Sequence, residues 1–281
     1  MRLKVTHETT YTYSGSVYLE PHTLYLHPLT YPFQSVQNFQ MRIEPEPVVF
    51  SRANDIEGNY VYLLCFQEPT DCLAIRTSFE AETSRTNPFD YVLYPFEVCN
   101  LPFQYPLALH PLLKPYLKPA TRHAQIESFA LECVNQSQQS TLRLLMCLTE
   151  TIRQEFVYEH RETGAPRTSE ETLRLKRGSC RDLAALMIDT CRVLGIAARF
   201  ASGYFYGDPE AERHLHAWVE VYLPGAGWRG YDPTEGLVAA DRHVLLAASA
   251  YPLQVAPVQG TFRGDAYAEL STTVHIAQMS G

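Results

Sequence analysis

Cys180 stands where a loop gives way to an apolar helical pattern, in the stretch Gly178-Ser179-Cys180-Arg181-Asp182-Leu183-Ala184-Ala185-Leu186. Leu183, Leu186, Met187, Cys191 and Leu194 recur at helical spacing, and Gly195 stops the pattern. A cysteine in the first helical turn lies among N–H groups that have no intrahelical partner, at the positive end of the helix dipole. Both favour a thiolate, the nucleophilic form of the side chain. Residues 214–222 alternate and read as a strand, Pro224-Gly225-Ala226-Gly227 turns the chain, and residues 228–234 read as the returning strand. If Pro224, Gly225 and Ala226 form a three-residue loop, Leu223 faces Gly227. Asp232 then lies opposite Trp218 and diagonal to His216, within side-chain reach. A two-residue loop would turn Asp232 to the other face. In the three-residue register Cys180, His216 and Asp232 form a nucleophile, a base and an acid that orients the base.

The wording around these residues is specific. Gly-Ser-Cys-Arg-Asp, Leu-Gly-Ile-Ala-Ala-Arg-Phe-Ala-Ser-Gly-Tyr, His-Ala-Trp-Val-Glu-Val-Tyr and Gly-Trp-Arg-Gly-Tyr-Asp-Pro-Thr resemble the bacterial transglutaminase-like superfamily, over about residues 140–236. A weaker resemblance continues over the N-terminal region. The resemblance implies an α+β fold: an N-terminal antiparallel β-sandwich, then a papain-like transglutaminase core whose Cys-bearing helix packs on an antiparallel sheet carrying His and Asp. It implies a cysteine enzyme acting on protein or peptide amides through a thioester, with hydrolysis favoured over amine transfer. A non-catalytic binding or assembly module on the same fold is the alternative. No Asp-x-Asp-x-Asp-Gly calcium loop occurs, and no cofactor is expected.

Neighbouring residues divide by expected role. His214 precedes His216 by two on the same face and is a cleft candidate; the His-Ala-Trp wording selects His216 as the base. His214 and His216 with Cys180 and Asp232 also make a zinc-compatible set, the weaker reading. Trp218 and Tyr204 are further cleft candidates, each with core packing as the alternative, and Tyr158 is a candidate second oxyanion donor. Asp182 is expected to give structural support near the helix start, Arg181 to stay in solvent, and Glu220 to be a solvated strand-end charge. Two segments depart from the family wording. Ala248-Ser249-Ala250-Tyr251 stands where relatives commonly have Gly-Arg-Asp-Tyr, and Glu235 where they have Asn after Asp-Pro-Thr.

The remaining elements must position this group. Residues 1–86 read as short strands of a sandwich, with a turn at Tyr13-Ser14-Gly15-Ser16-Val17. Residues 87–119, rich in Pro and aromatics, read as an extended connection packed between domains. Residues 120–240 are the expected core, with helices at 121–135 and 140–157, a capping box at Thr168-Ser169-Glu170-Glu171, and a strand over 197–206 broken at Gly207-Asp208-Pro209-Glu210. Residues 241–281 read as C-terminal strands. The chain has 281 residues, 46% hydrophobic and 19% charged, so it is globular. Its formal charge of −8 argues against nucleic acid or an anionic membrane as partner. There is no bilayer-length apolar run and no signal-peptide core. Seven cysteines at irregular spacing give no disulfide framework, so a cytoplasmic location is expected.

Overall fold

The computed structural model describes residues 1–120, 123–208 and 213–279. The expected helix start at Thr121 and the strand break at Pro209 and Glu210 lie outside the described residues. The N-terminal strands are β1 (Arg2–Leu19), β2 (His22–Leu24), β3 (Gln34–Glu44), β4 (Val49–Asn54), β5 (Tyr60–Cys65) and β6 (Thr70–Thr83). After the connection come α1 (His110–Leu117), α2 (Ala124–Gln136), α3 (Thr141–Glu155), β7 (Val157–Tyr158), α4 (Ser169–Leu175), β8 (Arg177–Gly178) and α5 (Cys180–Val193). The chain then forms β9 (Ala198–Phe205), β10 (His216–Leu223), β11 (Gly227–Asp232), β12 (Leu237–Val238) and β13 (His243–Ser249). It ends with β14 (Val258–Gln259), β15 (Phe262–Arg263) and β16 (Ala268–Gln278).

Strict alternation along β1 sends Leu3, Val5, His7 and Thr9 inward. The strand does not turn at Ser14–Gly15. Its pairing with β6 shifts between Thr12 and Val17, so a register irregularity absorbs the small residues that had read as a turn. One sheet runs β15-β1-β6-β3 with β16 also on β1, the other β14-β2-β5-β4, and Val5, Leu24, Leu64, Leu73, Ile75 and Phe79 fill the space between. The chain's end therefore completes the first domain. β16 pairs with β1 from Leu3↔Gln278 to Tyr13↔Ala268.

The connection has the short turns that its prolines imply, at Phe96–Cys99 and Leu107–Leu109, and also the helix α1, which they do not. Pro111 sits in the first turn of α1, where its missing N–H has no intrahelical acceptor, and Pro115 forfeits a single bond. Tyr105 anchors the segment: its hydroxyl donates to Tyr222 O at 2.8 Å and accepts from Ala197 N at 2.9 Å.

The second domain is a helical layer on an antiparallel sheet of order β12-β11-β10-β9-β13. The apolar stripe of α5 (Leu183, Leu186, Met187, Cys191) packs with Leu144, Leu148 and Ile152 of α3, all essentially buried. Truncating one of these leucines to Ala costs about 2–5 kcal/mol. β10 divides by parity. Ala217, Val219 and Val221 face the helical core. Trp218 faces away into a small cluster with Ala201, Ala239, Leu245 and Ala248. Among the described residues no helix is long and apolar enough to cross a membrane.

Candidate active site

Cys180 is the first residue of α5 and is 8% exposed. The turn before it is built for a close approach. β7 and β8 pair in parallel, Tyr158 beside Gly178, and Glu159 N–H donates to Gly178 O at 2.9 Å. A Cβ on Gly178 would stand 2.7 Å from Asp182 Cβ, so only glycine fits there. Asp182 is completely buried. Its Oδ2 accepts from Ser179 N at 2.8 Å and Ser179 Oγ at 3.0 Å, and its Oδ1 from Arg161 Nη2 at 2.6 Å and Arg167 N at 2.7 Å. One carboxylate thus fixes both the helix start and the loop above it. Arg181 is not in free solvent. Its guanidinium donates to the carbonyls of Arg161, Thr163 and Gly164, because the loop curls its carbonyls toward the helix end.

The hairpin adopts the three-residue register. Leu223 pairs with Gly227 and Val219 with Tyr231, which sets Asp232 opposite Trp218. His216 Nε2 lies 2.6 Å from Asp232 Oδ2. Cys180 and His216 line the same cavity, and the thiol is among the groups that raise the His216 imidazole. Since Nε2 is held by Asp232, Nδ1 is the nitrogen left for sulfur. His216 shares the parity of Trp218 but is the first residue of its strand, so its ring reaches round the sheet end to the start of α5. Burial opposes charge on His216. The Asp232 carboxylate and the Cys180 thiol outweigh it and raise the imidazole well above its ordinary range. Burial likewise opposes charge on Asp232, yet His216 and then His243 hold its carboxyl below the usual carboxylate range.

The three residues line a cavity of about 150 Å³ only in part: Cys180 and His216 reach it, while Asp232 lies behind them. Tyr158, His160, Phe200, His214, Leu253 and Val255 also line it. The His214 ring lies against that of His160, tilted by 37° at a centroid distance of 4.1 Å, in the cleft wall rather than in a set with His216. Tyr158 is 46% exposed, and burial followed by the nearby Cys180 sulfur pushes its hydroxyl up to about 12, so it is a neutral donor.

Two cleft expectations are corrected. Trp218 is 2% exposed and turned away from the cleft, because its parity on β10 opposes the helical side. Its ring is admitted by Gly203, where a Cβ would lie 2.7 Å from the indole and 2.1 Å from Val244 O. Tyr204 is fully buried. By Tyr204 the strand has run past the helix and meets the sandwich, where the hydroxyl lies 2.9 Å from His7 Nδ1 and the ring packs on Phe79. Glu220 is also not solvated; it is 9% exposed and accepts from Arg199 Nε at 2.8 Å.

Sequence reasoning missed His243. Its Nε2 lies 3.0 Å from Asp232 Oδ2, although β13 is at the opposite edge of the sheet from β11 and β12. No local pattern announces a contact made by a chain that leaves the sheet after β12 and returns beyond β9. His216, Asp232 and His243 have ligand-type atoms within 4.8 Å of one another. Their 2.6 and 3.0 Å separations are hydrogen-bond lengths, shorter than the spacing of about 3.3 Å between ligands that tetrahedral bonds of about 2.0 Å require.

Comparison with known proteins agrees with this architecture. Residues 3–82 match the Bacterial transglutaminase-like N-terminal region and residues 127–233 the Transglutaminase-like superfamily. The chain is 27% identical over 281 residues to uncharacterized protein Rv2569c of Mycobacterium tuberculosis, covering 92% of this chain and 87% of that one. It is 31% identical over 112 residues to the Protein-glutamine gamma-glutamyltransferase of Pseudomonas aeruginosa, covering 33% of this chain and 17% of that protein. A crystal structure of a "Putative Cysteine Protease" from Cytophaga hutchinsonii shares the fold, with TM-score 0.75, 20% identity, and coverage of 100% of this chain and 91% of that one. With both regions matched in order, the chain belongs to the transglutaminase-like superfamily and carries its bacterial N-terminal region.

Proposed function

We propose that this chain is a cysteine enzyme that acts on protein or peptide amides through a thioester, with Cys180 as nucleophile, His216 as acid and base, and Asp232 orienting His216. The observation that carries the reading is a helix-start thiol that shares a cavity with an imidazole held at 2.6 Å by a buried carboxylate. In this order the Cys180 thiolate attacks the amide carbon, forming the C–S bond as the carbonyl electron pair moves to oxygen. The Cys180 backbone N–H, in the first turn of α5, has no intrahelical acceptor and serves the oxyanion. Collapse breaks the C–N bond, and imidazolium His216 gives its proton to the departing nitrogen. The thioester remains. Water then attacks, giving a proton to His216; the C–S bond breaks, the acid leaves, and the thiolate–imidazolium pair is restored.

A primary amine in place of water gives transfer by the same steps. The partial similarity to a protein-glutamine gamma-glutamyltransferase supports that second outcome. Hydrolysis remains the favoured reading, and incubation with glutamine-containing peptides and a labelled primary amine tests it. Release of ammonia or peptide fragments in excess of incorporated label is expected. Label incorporation as the dominant product would assign transfer, and neither product from any peptide, with Cys180 unreactive, would favour a binding module.

A further inference from the structure

Asp232 is tied on all sides. Its Oδ1 accepts backbone N–H groups of Thr234 at 3.0 Å and Glu235 at 3.2 Å, and its Oδ2 meets both His216 and His243. The His243 side chain is 4% exposed and lies between Phe205, at 4.7 Å between centroids, and Trp218, at 5.2 Å. That slot is aromatic and suits a phenyl ring by shape. A buried polar ring is costly unless it is hydrogen-bonded, and Nδ1 of His243 has no partner among the described residues. The contact with Asp232 is therefore what the imidazole supplies that a phenyl ring would not. The other ionisable groups facing this point are few. Arg85, Tyr31 and Glu220 share a small cavity with His243, and Glu220 is paired with Arg199.

We infer that His243 is a positioning residue: it fixes Asp232 Oδ2 and shares that oxygen's charge, so that Asp232 pulls less strongly on the His216 proton. Two N–H donors on one oxygen divide its electron density. Without the second donor His216 would stay protonated to higher pH and serve less well as the base for the attacking water. This rests on the assignment of Cys180, His216 and Asp232 above.

The test uses the full chain and two readouts, Cys180 alkylation by iodoacetamide against pH and the His216 ring titration by NMR. Parent protein whose alkylation near pH 6 does not depend on His216 would refute the assignment of the site itself. With that dependence in place, His243→Phe is expected to raise the His216 titration by about half to one pH unit, a 3- to 10-fold change in proton affinity. His243→Gln, which keeps an N–H donor of similar reach, is expected to restore most of the parent value. An unmoved titration in His243→Phe would overturn the inference, as would an equal shift in His243→Gln. Should His243→Phe fail to fold, His243→Asn, too short to reach Asp232, takes its place with the same two outcomes.

Discussion

His7 in the sandwich and His216 at the end of the second sheet are both withdrawn from water, and their environments drive them in opposite directions. His7 is 1% exposed, and among the described residues its ring hydrogen-bonds only neutral partners, Tyr204 Oη at 2.9 Å and Thr9 Oγ1 at 3.0 Å. Burial acts unopposed there and lowers the imidazole from 6.5 to about 4. His216 meets a buried carboxylate and a thiol, and it is raised well above 6.5 in spite of its burial. The difference teaches that depth alone makes a histidine neutral and structural, whereas depth with a fixed counter-charge makes it a proton carrier near a nucleophile. β9 joins the two regions: Gly203 pairs with His216, and the next residue, Tyr204, holds His7.

The comparison breaks most sharply at Asp232. Asp232→Asn keeps the volume but removes the charge, so His216 should titrate below 6.5 as His7 does, and amide turnover should fall by about 10³-fold or more. Ring NMR and turnover of a responsive peptide would show both changes. A His216 titration unchanged from the parent value in that variant would mean that Asp232 is not its counter-charge, whereas a partial fall would measure what the Cys180 thiol contributes.

Linkage separates the two histidines next. The pKa of His7 is lower in the folded state, so the unfolded chain binds more protons between about pH 4 and 6.5. Its contribution is present above 6.5 and is lost as pH falls toward 4, by about 3 kcal/mol at 1.36 kcal/mol per unit. His216 has the opposite sign. Its contribution is complete below about 6.5 and is lost as pH rises through the raised folded value. Urea unfolding of parent and His7→Gln at pH 7 and pH 4 isolates the first effect. The acid loss should shrink by about 3 kcal/mol in the variant, and an equal loss in both proteins would contradict it.

The smallest effect concerns the strand between them. Gly203→Ala places a Cβ against Val244 O and the Trp218 ring, and overpacking of this kind costs about 1–3 kcal/mol. Because Gly203 pairs with His216, Cys180 reactivity should drop while the His7 titration stays in place. Thermal unfolding would read the cost, alkylation the reactivity and ring NMR the His7 titration; unchanged reactivity would contradict the prediction.

Cys180 and Asp232 were legible as candidates from local pattern, whereas His216 was separated from His214 only by the His-Ala-Trp wording that carries the family resemblance. Cys180 begins an amphipathic period, and the spacing of Leu223 and Gly227 around a three-residue loop fixes Asp232 on the face of His216. The sandwich was legible from alternation; that the C-terminal strands rejoin a sheet came only from the resemblance, and which strands they pair with was not legible, since strand partners distant in sequence leave no periodic trace. Parity marked Trp218 as a face-mate of His216. It did not show that this face turns into a cluster of alanines rather than the cleft. Tyr204 was misread for a related reason: one strand crosses from a helical neighbour to a sandwich neighbour within a few residues. His243 contacts Asp232 only through the path of the chain beyond β12, which composition and spacing do not encode. Arg181 was read as solvated because its carbonyl partners lie in a loop whose curl is set by Asp182, and no periodic pattern shows which carbonyls a loop turns inward.

The account rests on a working Cys180–His216 pair, and the pH dependence of Cys180 alkylation in parent and His216→Ala, located by peptide mass spectrometry, tests that pair without a known substrate. The parent is expected to react readily near pH 6, where a model thiol of pKa about 8.5 is almost wholly protonated, and His216→Ala is expected to lose that reactivity. Equal, slow labelling of both folded proteins until the pH nears the model thiol value would contradict the account.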